Sequence, residues 1–573
     1  MPETSDQRAL AVSLSAFPDE VLARLLAERH VPASATWRDM FDAADALLDA
    51  ASVARALPLL DHAEAHALVA AVIDGVRAGN GIREALHHRA LVGVDGRPYA
   101  AVVSAVRDLA PHGLPDTPTA STVDTSNDAA AAESAFTNAA ALADVLLLTL
   151  ESPLGRIGSG SLGAGERRRL VDAGAAPSAE EADLLVGMAA RTGLLGSNSR
   201  AWLVTAAGRA WLPLPTLERW ATTARALRDA LPRAYRTAEG GWMPQPTWAA
   251  ATPFDPAGPE RAARWTHRLR AWGLLDDSGA VPPWGVGLAA GGDVDVSALR
   301  ELLPPEVDRV YLQNDLTAIA PGPLAPHLDV RLRSMAARES RAQASSYRFS
   351  AATIGAAITA GETADSLRAF LTEISLTGLP QPLAYVIERT SAEHGRVRVT
   401  ADAASGLTTV RTDDETLLRA MEVDTSLRSV ALSRSGDELI THVAADVVFW
   451  ALSDARYPAV AVDADGQPRA VERAKLAASE APEDPADVYG PLIERLRAGG
   501  EDSDAAWLER ELDQAVRARA VVDVTVRLPD GSARVFRLEA TGLGGGRLRG
   551  RDRAADVERT LPLSHIDSVS PVA

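Results

Sequence analysis

"SSYRFSAATIGAAITAGETADSLRAFLTEISLTGLPQP", residues 345–382, decides how the middle of this chain is read. Ser350 stands where a helix N-cap belongs, because its hydroxyl accepts a backbone N–H that the first turn cannot satisfy itself. Ile354 and Ile358 follow at the spacing of a buried helix face. "TGLPQPLAYVI" then breaks one helix and starts another after Pro382, since proline cannot continue a helix it does not open. Physical reading alone gives a packed α/β module here.

Working outward, 573 residues are too many for one hydrophobic core, and about three to five domains are expected. The N-terminal "MPETSDQRAL" lacks the basic start and apolar core of a secretion signal. No run is read as approaching the roughly 18 apolar residues that cross a bilayer, so no membrane partner is expected. The chain has no cysteine, hence no disulfide, thiolate zinc site or cysteine nucleophile, and a cytoplasmic setting is expected. Lys475 is the only lysine among 58 basic residues, a bias that reads as a GC-rich bacterial genome. The net charge of −19 opposes non-specific coating of nucleic acid, which requires neutralising phosphates. Any DNA contact must be local, and a protein partner gains weight.

Composition divides the chain into a helical N-terminal domain (1–110), a polar linker (111–133), a winged-helix-like unit (134–230) and a second such unit (231–300). An α/β module (301–475), an acidic linker with a helix (476–515) and a small β-barrel (516–573) complete it. In "FPDEVLARLLAERH", Val21, Leu22, Leu25 and Leu26 form one helical stripe. In the first unit, Ser178 and Glu181 read as a capping box and Gly193 as the helix stop, with "LLGSNSRAWLVT" as a hairpin. The second unit follows "PERAARWTHRLRAWG" with "LLDDSGAVPPW". "AASEAPEDPADVYG" reads as an interdomain linker, and the strict alternation of "VVDVTVRL" and "RVFRLE" with glycine turns predicts the barrel.

A phosphate-binding loop needs glycines followed by a lysine that reaches the terminal phosphates. Lys475 in "VERAKLAAS" has no such loop before it, and no DEAH- or DEAD-like sequence occurs. Gly158, Gly160 and Gly163 spell G-x-G-x-x-G, but dinucleotide binding needs a preceding strand and a βαβ unit, whereas "ALADVLLLTLE" reads as a helix. His62 and His66 share a helix face without a third metal ligand, which favours a solvated face. No nucleophile elbow is present. The expectation is a non-enzyme without cofactor or metal.

The stretch from "VYLQNDLTAIAPG" to "AEHGRVRV" resembles the N-terminal domain of XPB-type DNA helicases. The resemblance rests on a strand ending in Asp315-Leu316-Thr317, then Tyr347-Arg348-Phe349-Ser350, Gly361 and a helix around Leu367 to Leu371. Gly378-Leu379-Pro380-Gln381 and Gly395-Arg396-Val397-Arg398-Val399 complete it. It implies a module linked with recognition of damaged DNA. The whole chain resembles bacterial helicase-associated domain proteins, and "GGRLRGRDRAADVERTLPLSHIDSV" resembles the Sm-like barrel of WYL-type regulators without their Trp-Tyr-Leu triplet.

Three arginine groups are the candidate nucleic-acid contacts. Arg261, Arg264 and Arg268 share a helix face opposite Trp265, Leu269 and Trp272; the alternative is a solvated basic face. Arg331, Arg333, Arg338, Arg341 and Arg348 gather against Glu339 alone inside the helicase-like module. Arg547, Arg549, Arg551 and Arg553 alternate along a strand with Asp552 as internal counter-charge, lining a groove or guarding an edge. The first unit's second helix carries Glu180, Glu181 and Asp183 against Arg191, which phosphate would repel. The sequence therefore reads as a multidomain α+β, non-catalytic protein that contacts DNA locally or docks to an XPB-type helicase. Its rival is a transcriptional regulator or interaction scaffold.

Overall fold

The computed structural model describes residues 5–571 apart from 116–127, 159, 199, 342–344, 403–404, 467–468, 470, 472–474, 479–483, 499–503, 529–531 and 554. The N-terminal region contains α1 (Asp6–Ala16), α2 (Asp19–Glu28), α3 (Met40–Leu48), α4 (Ala50–Ala56), α5 (His62–Ile73), α6 (Asn80–His88) and α7 (Ala100–Leu109). Leu22, Leu25 and Leu26 are buried as their spacing requires, with Val21 half-buried beside them. Asp39 caps α3, and Asp61 with Glu64 forms a reciprocal capping box on α5, so local signals set the helix starts before packing fixes them.

The next core spans residues 131–299 without a break, joining the two expected winged-helix-like units into one body. Its spine is α8 (Asp128–Glu151), which starts inside the stretch expected as a linker and already buries Ala131 and Ala132. Contrary to the sequence expectation, α8 is by length and composition apolar enough to cross a membrane. Here 56% of its most apolar window is buried inside the protein, the pattern of a core helix. There follow β1 (Leu154–Gly155), α9 (Ala164–Asp172), α10 (Ala179–Arg191), β2 (Leu195–Ser197) and β3 (Ala201–Val204), with a three-stranded antiparallel sheet in the order β1-β3-β2. Gly193, at φ 74°, ends α10 as read, but only half the capping box forms. Ser178 accepts from the Glu181 amide, while the Glu181 carboxylate lies 3.4 Å from His267.

After α11 (Ala206–Trp211), α12 (Thr216–Asp229) and α13 (Gly258–Ala271) pack their tryptophans into this core. Trp220 donates its indole N–H to the Trp272 carbonyl at 2.8 Å and Trp272 returns one to Trp220 at 3.0 Å, so both rings are buried with no unpaired donor. Gly273, at φ 63°, ends α13 against α8; a Cβ there would stand 2.3 Å from the Ala131 carbonyl, so only glycine fits. After this helix "LLDDSGAVPPW" forms no strand, so the second unit lacks the hairpin of a winged helix: among the described residues 231–300 contain no strand. Asp276 instead accepts from the Ser278 and Ala280 amides and the Ser278 hydroxyl, an aspartate turn that supplants strand pairing. Short helices α14 (Val286–Ala289) and α15 (Val296–Arg300) close the region.

Residues expected as one α/β module hold two cores. The first contains β4 (Tyr311–Leu312), β5 (Thr317–Ala320), α16 (Pro326–Met335), β6 (Ala337–Arg341), β7 (Ser345–Arg348), α17 (Ala351–Thr359), α18 (Ala364–Ile374) and α19 (Gln381–Glu393). Its antiparallel sheet runs β4-β5-β7-β6. Ser350 caps α17 in a capping box with Thr353, and Ile354 is fully buried. Asp315 and Leu316 do not end a strand; they make the turn between β4 and β5, with Leu316 at φ 64° and its carbonyl accepting from the Phe349 amide.

The second core has β8 (Val397–Asp402), β9 (Leu407–Arg411), α20 (Glu415–Val423), β10 (Ser433–Ser435), β11 (Glu438–Thr441), α21 (Ala445–Asp454) and β12 (Ala459–Val462), in sheet order β10-β11-β9-β8-β12. The chain then returns to the small sheet, where the Ala477 amide donates to the Val204 carbonyl at 2.8 Å, two residues beyond Lys475.

α22 (Pro485–Ala498) begins inside the expected acidic linker and packs on α2, adding Tyr489, Leu492, Ile493 and Leu496 to the N-terminal core. Tyr489 donates its hydroxyl to the Val31 carbonyl at 2.7 Å, and Arg497 binds Asp19 and the Ser15 and Phe17 carbonyls. α23 (Asp504–Ala518) follows, then β13 (Val521–Arg527), β14 (Ala533–Gly544), β15 (Arg547–Asp552), β16 (Val557–Pro562) and β17 (Ile566–Pro571). The expected barrel is absent. The sheet is open, in the order β16-β15-β14-β13-β17, with β16 and β17 as its edges. Leu512 and Ala515 of α23 join Val522, Val524, Leu538 and Leu548 in one core, so a helix covers the apolar face that closure would otherwise bury.

Candidate nucleic-acid interface

Four of the five arginines of residues 331–348, namely Arg331, Arg333, Arg338 and Arg348, are paired within the protein. Asp144 on α8 is 2% exposed, and its two carboxylate oxygens accept from Arg333 and Arg338 respectively. Arg333 also lies 3.7 Å from Asp329, which accepts the Tyr347 hydroxyl at 2.6 Å. Burial alone would pull Arg338 down, but Asp144 outweighs it and holds the guanidinium above its ordinary value. Burial and then Asp329 push the Tyr347 phenol far up, keeping it a neutral donor. Arg219 of α12, 5% exposed and 5.1 Å above the Trp211 ring, is pulled down to about 10 by burial although Asp329, Glu306 and Asp144 oppose that. This buried ionic cluster fastens α8 and α12 to α16, β6 and β7; it is an internal joint.

Arg331 grips Glu362 through two bonds of 3.0 and 3.1 Å and stacks 4.3 Å from the Phe370 ring. Arg348 makes a two-bond pair with Glu339, the carboxylate counted against all five arginines in the sequence. Arg341 ends β6, and its side chain lies outside the described residues. Burial would raise the Glu362 carboxyl, yet Arg331 and the Ser366 hydroxyl hold it below its usual 4.5. A depressed carboxylate stabilises the fold above its unfolded pKa, and that contribution is lost as pH falls through the folded value. Glu362→Gln should therefore lower stability at neutral pH and flatten its decline toward about pH 4, read as urea midpoints across that window.

On α13, Trp265, Leu269 and Trp272 are buried as their spacing predicts. Arg261 is tied to Asp255 at 2.8 Å and Arg264 meets Glu260 at 3.4 Å. Arg268 is 9% exposed with its guanidinium 5.1 Å from the Trp265 ring centre, so the three do not form one solvent face. On β15, Arg547, Arg549 and Arg551 are exposed on one side while Leu548, Gly550 and Asp552 are buried on the other. They line the face of an open sheet. Asp552 points inward to Arg559, leaving Arg551 to pair with Asp556 and Arg553 with Glu539. Arg549 stands between Gly542 and Thr560, and Arg547 between Gly544 and Pro562, with no carboxylate in register.

Gly158 and Gly160 lie between the bridged residues Arg156 and Leu162, and Gly163 is the N-cap of α9, all preceded by α8 and the two-residue β1. His62 and His66 lie with ring centres 4.1 Å apart and their planes tilted by 45°, and His62 Nδ1 lies 3.3 Å from the Ala250 carbonyl across the contact with the second core. Sequence reading missed Asp144 and Arg219, and weighed Arg191 only as the counter-charge to Glu180, Glu181 and Asp183. Asp144 was findable: it is the one charge inside the apolar run "ALADVLLLTL", where a carboxylate must meet a cation if the helix is buried.

Residues 310–436 match the family described as helicase conserved C-terminal domain, well under half of the chain. No curated protein matches the chain. The match covers the β4–β7 core with its helices and enters the next core as far as β10. The chain thus carries a helicase-related segment, and the sequence expectation of an XPB-type N-terminal domain is met at that coarser level.

Proposed function

We propose that this chain is a non-catalytic component of helicase-linked DNA-processing machinery, docking to a helicase and touching DNA through local basic sites. The observation that carries the reading is the helicase-family match over residues 310–436 in a chain whose only lysine lacks a phosphate loop. The finer likeness to an XPB-type N-terminal domain supports a role at damaged or forked DNA. The internal pairing of Arg331, Arg333, Arg338 and Arg348 favours protein docking over phosphate binding for this module, because a neutralised arginine has little charge to offer.

The regulator reading draws on the element order of α8, β1, α9, α10, β2 and β3, which is that of a winged helix. Its groove-facing helix would be α10, whose first turns expose Glu180 and Asp183 to phosphate, and this weighs against it. The deciding experiment isolates the tagged full chain from its native cell and identifies bound proteins by mass spectrometry, alongside an ATPase assay with and without DNA. A helicase should co-purify, and the purified chain alone should hydrolyse no ATP. ATPase activity that disappears on mutating this chain, or the absence of any DNA-processing partner, overturns the reading.

A further inference from the structure

Two arginines are buried against tryptophans in the second core, and their surroundings differ. Arg219 lies on Trp211 with Asp329, Glu306 and Asp144 acting on it, so its charge is compensated from within. Arg268 lies on Trp265 at 5.1 Å, and Arg191, at the end of α10, approaches the same ring at 5.9 Å. The charged groups that act on Arg268 are Arg191 and Arg264, both of its own sign; with burial as the first cause, they bring it down to about 10. Arg191 is lowered likewise, by burial and then by Arg264.

Of the nearby carboxylates, Glu181 lies 3.4 Å from His267, and Glu260 meets Arg264 only in a 3.4 Å pair with both side chains exposed, which water screens and which leaves Arg264 able to exchange partners. Arg191 gives its Nη1 to the Gly187 carbonyl of its own helix. Among the described residues the Arg268 side chain has no hydrogen-bond or ion-pair partner, and its Nε is buried and unpaired. A buried cation without a partner is costly, and neighbours of the same sign raise that cost. Arg191 and Arg264, both exposed, stand on the solvent side of this group.

We propose that the junction of α10 and α13 is a phosphate site, in which Arg191, Arg264 and Arg268 around Trp265 take a phosphate of a nucleic-acid backbone. A phosphate supplies several acceptor oxygens to converging guanidinium forks, which match its geometry. The indole beneath holds the Arg191 and Arg268 guanidinium groups in place by cation–π contact. The assignment rests on the DNA-processing reading for the source of the phosphate. It also changes the role of α10: the contact falls to Arg191 in its last turn and not to the acidic first turn that carries Glu180 and Glu181.

The test uses the full-length chain and a labelled oligonucleotide of mixed sequence, single-stranded and duplex, by fluorescence anisotropy over a salt series. Pyrophosphate titrated by calorimetry is the free-anion arm. The variant is the exposed pair Arg191→Glu with Arg264→Glu, and the control is Arg77→Glu with Arg107→Glu, two exposed arginines of the N-terminal helical region outside every candidate site, which changes net charge equally. The first pair should weaken DNA binding by about tenfold or more and reduce the slope of log K against log salt by about 2 units. The control should do clearly less, with thermal midpoints kept in both.

If the parent binds DNA and the first pair does not weaken it, or the control weakens it equally, the site is wrong. Pyrophosphate binding lost in the first pair, with no DNA binding by the parent, overturns the nucleic-acid source. A parent that binds neither probe overturns the proposal altogether. Co-purification of a helicase with the Arg191→Glu, Arg264→Glu chain tests the docking reading separately, since that reading predicts the partner is retained.

Discussion

Asp144→Ala should destabilise the joint between α8 and the helicase-related segment by about 3–5 kcal/mol, the cost of stranding buried charge. Arg333 and Arg338, with side chains 15% and 16% exposed, would be left facing each other with their shared carboxylate gone. Asp329 remains 3.7 Å from Arg333 but already accepts the Tyr347 hydroxyl, so it is a partial substitute. A chain with several cores does not unfold in one step, so the local readout is hydrogen exchange in residues 326–348. Replacing the triad together (Asp144→Leu, Arg333→Met, Arg338→Met) should recover most of the loss, because an apolar triad needs no charge compensation. A loss under about 1 kcal/mol for Asp144→Ala would show that water or Asp329 compensates the arginines and that the joint is not held by this carboxylate.

Leu492→Ala should cost the N-terminal core about 2–5 kcal/mol, although the residue lies more than 380 positions beyond that core's last helix. Leu492 is fully buried among residues of α2, and its removal leaves a cavity that α22 cannot fill by moving alone. Faster exchange should appear in α2, while β13–β17 keep their protection. Unchanged exchange in α2 would mean that α22 merely rests on a core complete without it.

The places where sequence reading succeeded are those where a local rule decides the structure. Ser350 and Gly193 act within one helical turn, and Leu22, Leu25, Leu26, Trp265, Leu269 and Trp272 follow a period that survives any tertiary context. It failed where a distant partner decides. "AASEAPEDPADVYG" reads as a linker for its acids and prolines, yet Tyr489, Leu492, Ile493 and Leu496 already carry a helical stripe whose counterpart is α2. Strict alternation in "VVDVTVRL" and "RVFRLE" marks the strands β13 and β14, which bury Val522, Val524, Val526, Phe536 and Leu538, but alternation is blind to whether a sheet's edges meet, and α23 made closure unnecessary. The arginines of residues 331–348 looked uncompensated because the acids that answer Arg331, Arg333 and Arg338 lie outside the stretch counted: Asp144 and Glu362 on other elements, and Asp329 one turn earlier on α16. Charge counted along a chain says little about charge balanced in space.

The return of α22 to α2 also sets a schedule for the newborn chain. Its N-terminal helices emerge from the ribosome first, but the last apolar residue of their core, Leu496, follows Leu26 by 470 positions. At roughly 5–20 residues per second that is a wait of about 25–95 s with an unfilled groove on α2. During that interval the exposed stripe of Leu22, Leu25 and Leu26 is a target for holding chaperones, and any synonymous change that slows translation between α2 and α22 lengthens the exposure.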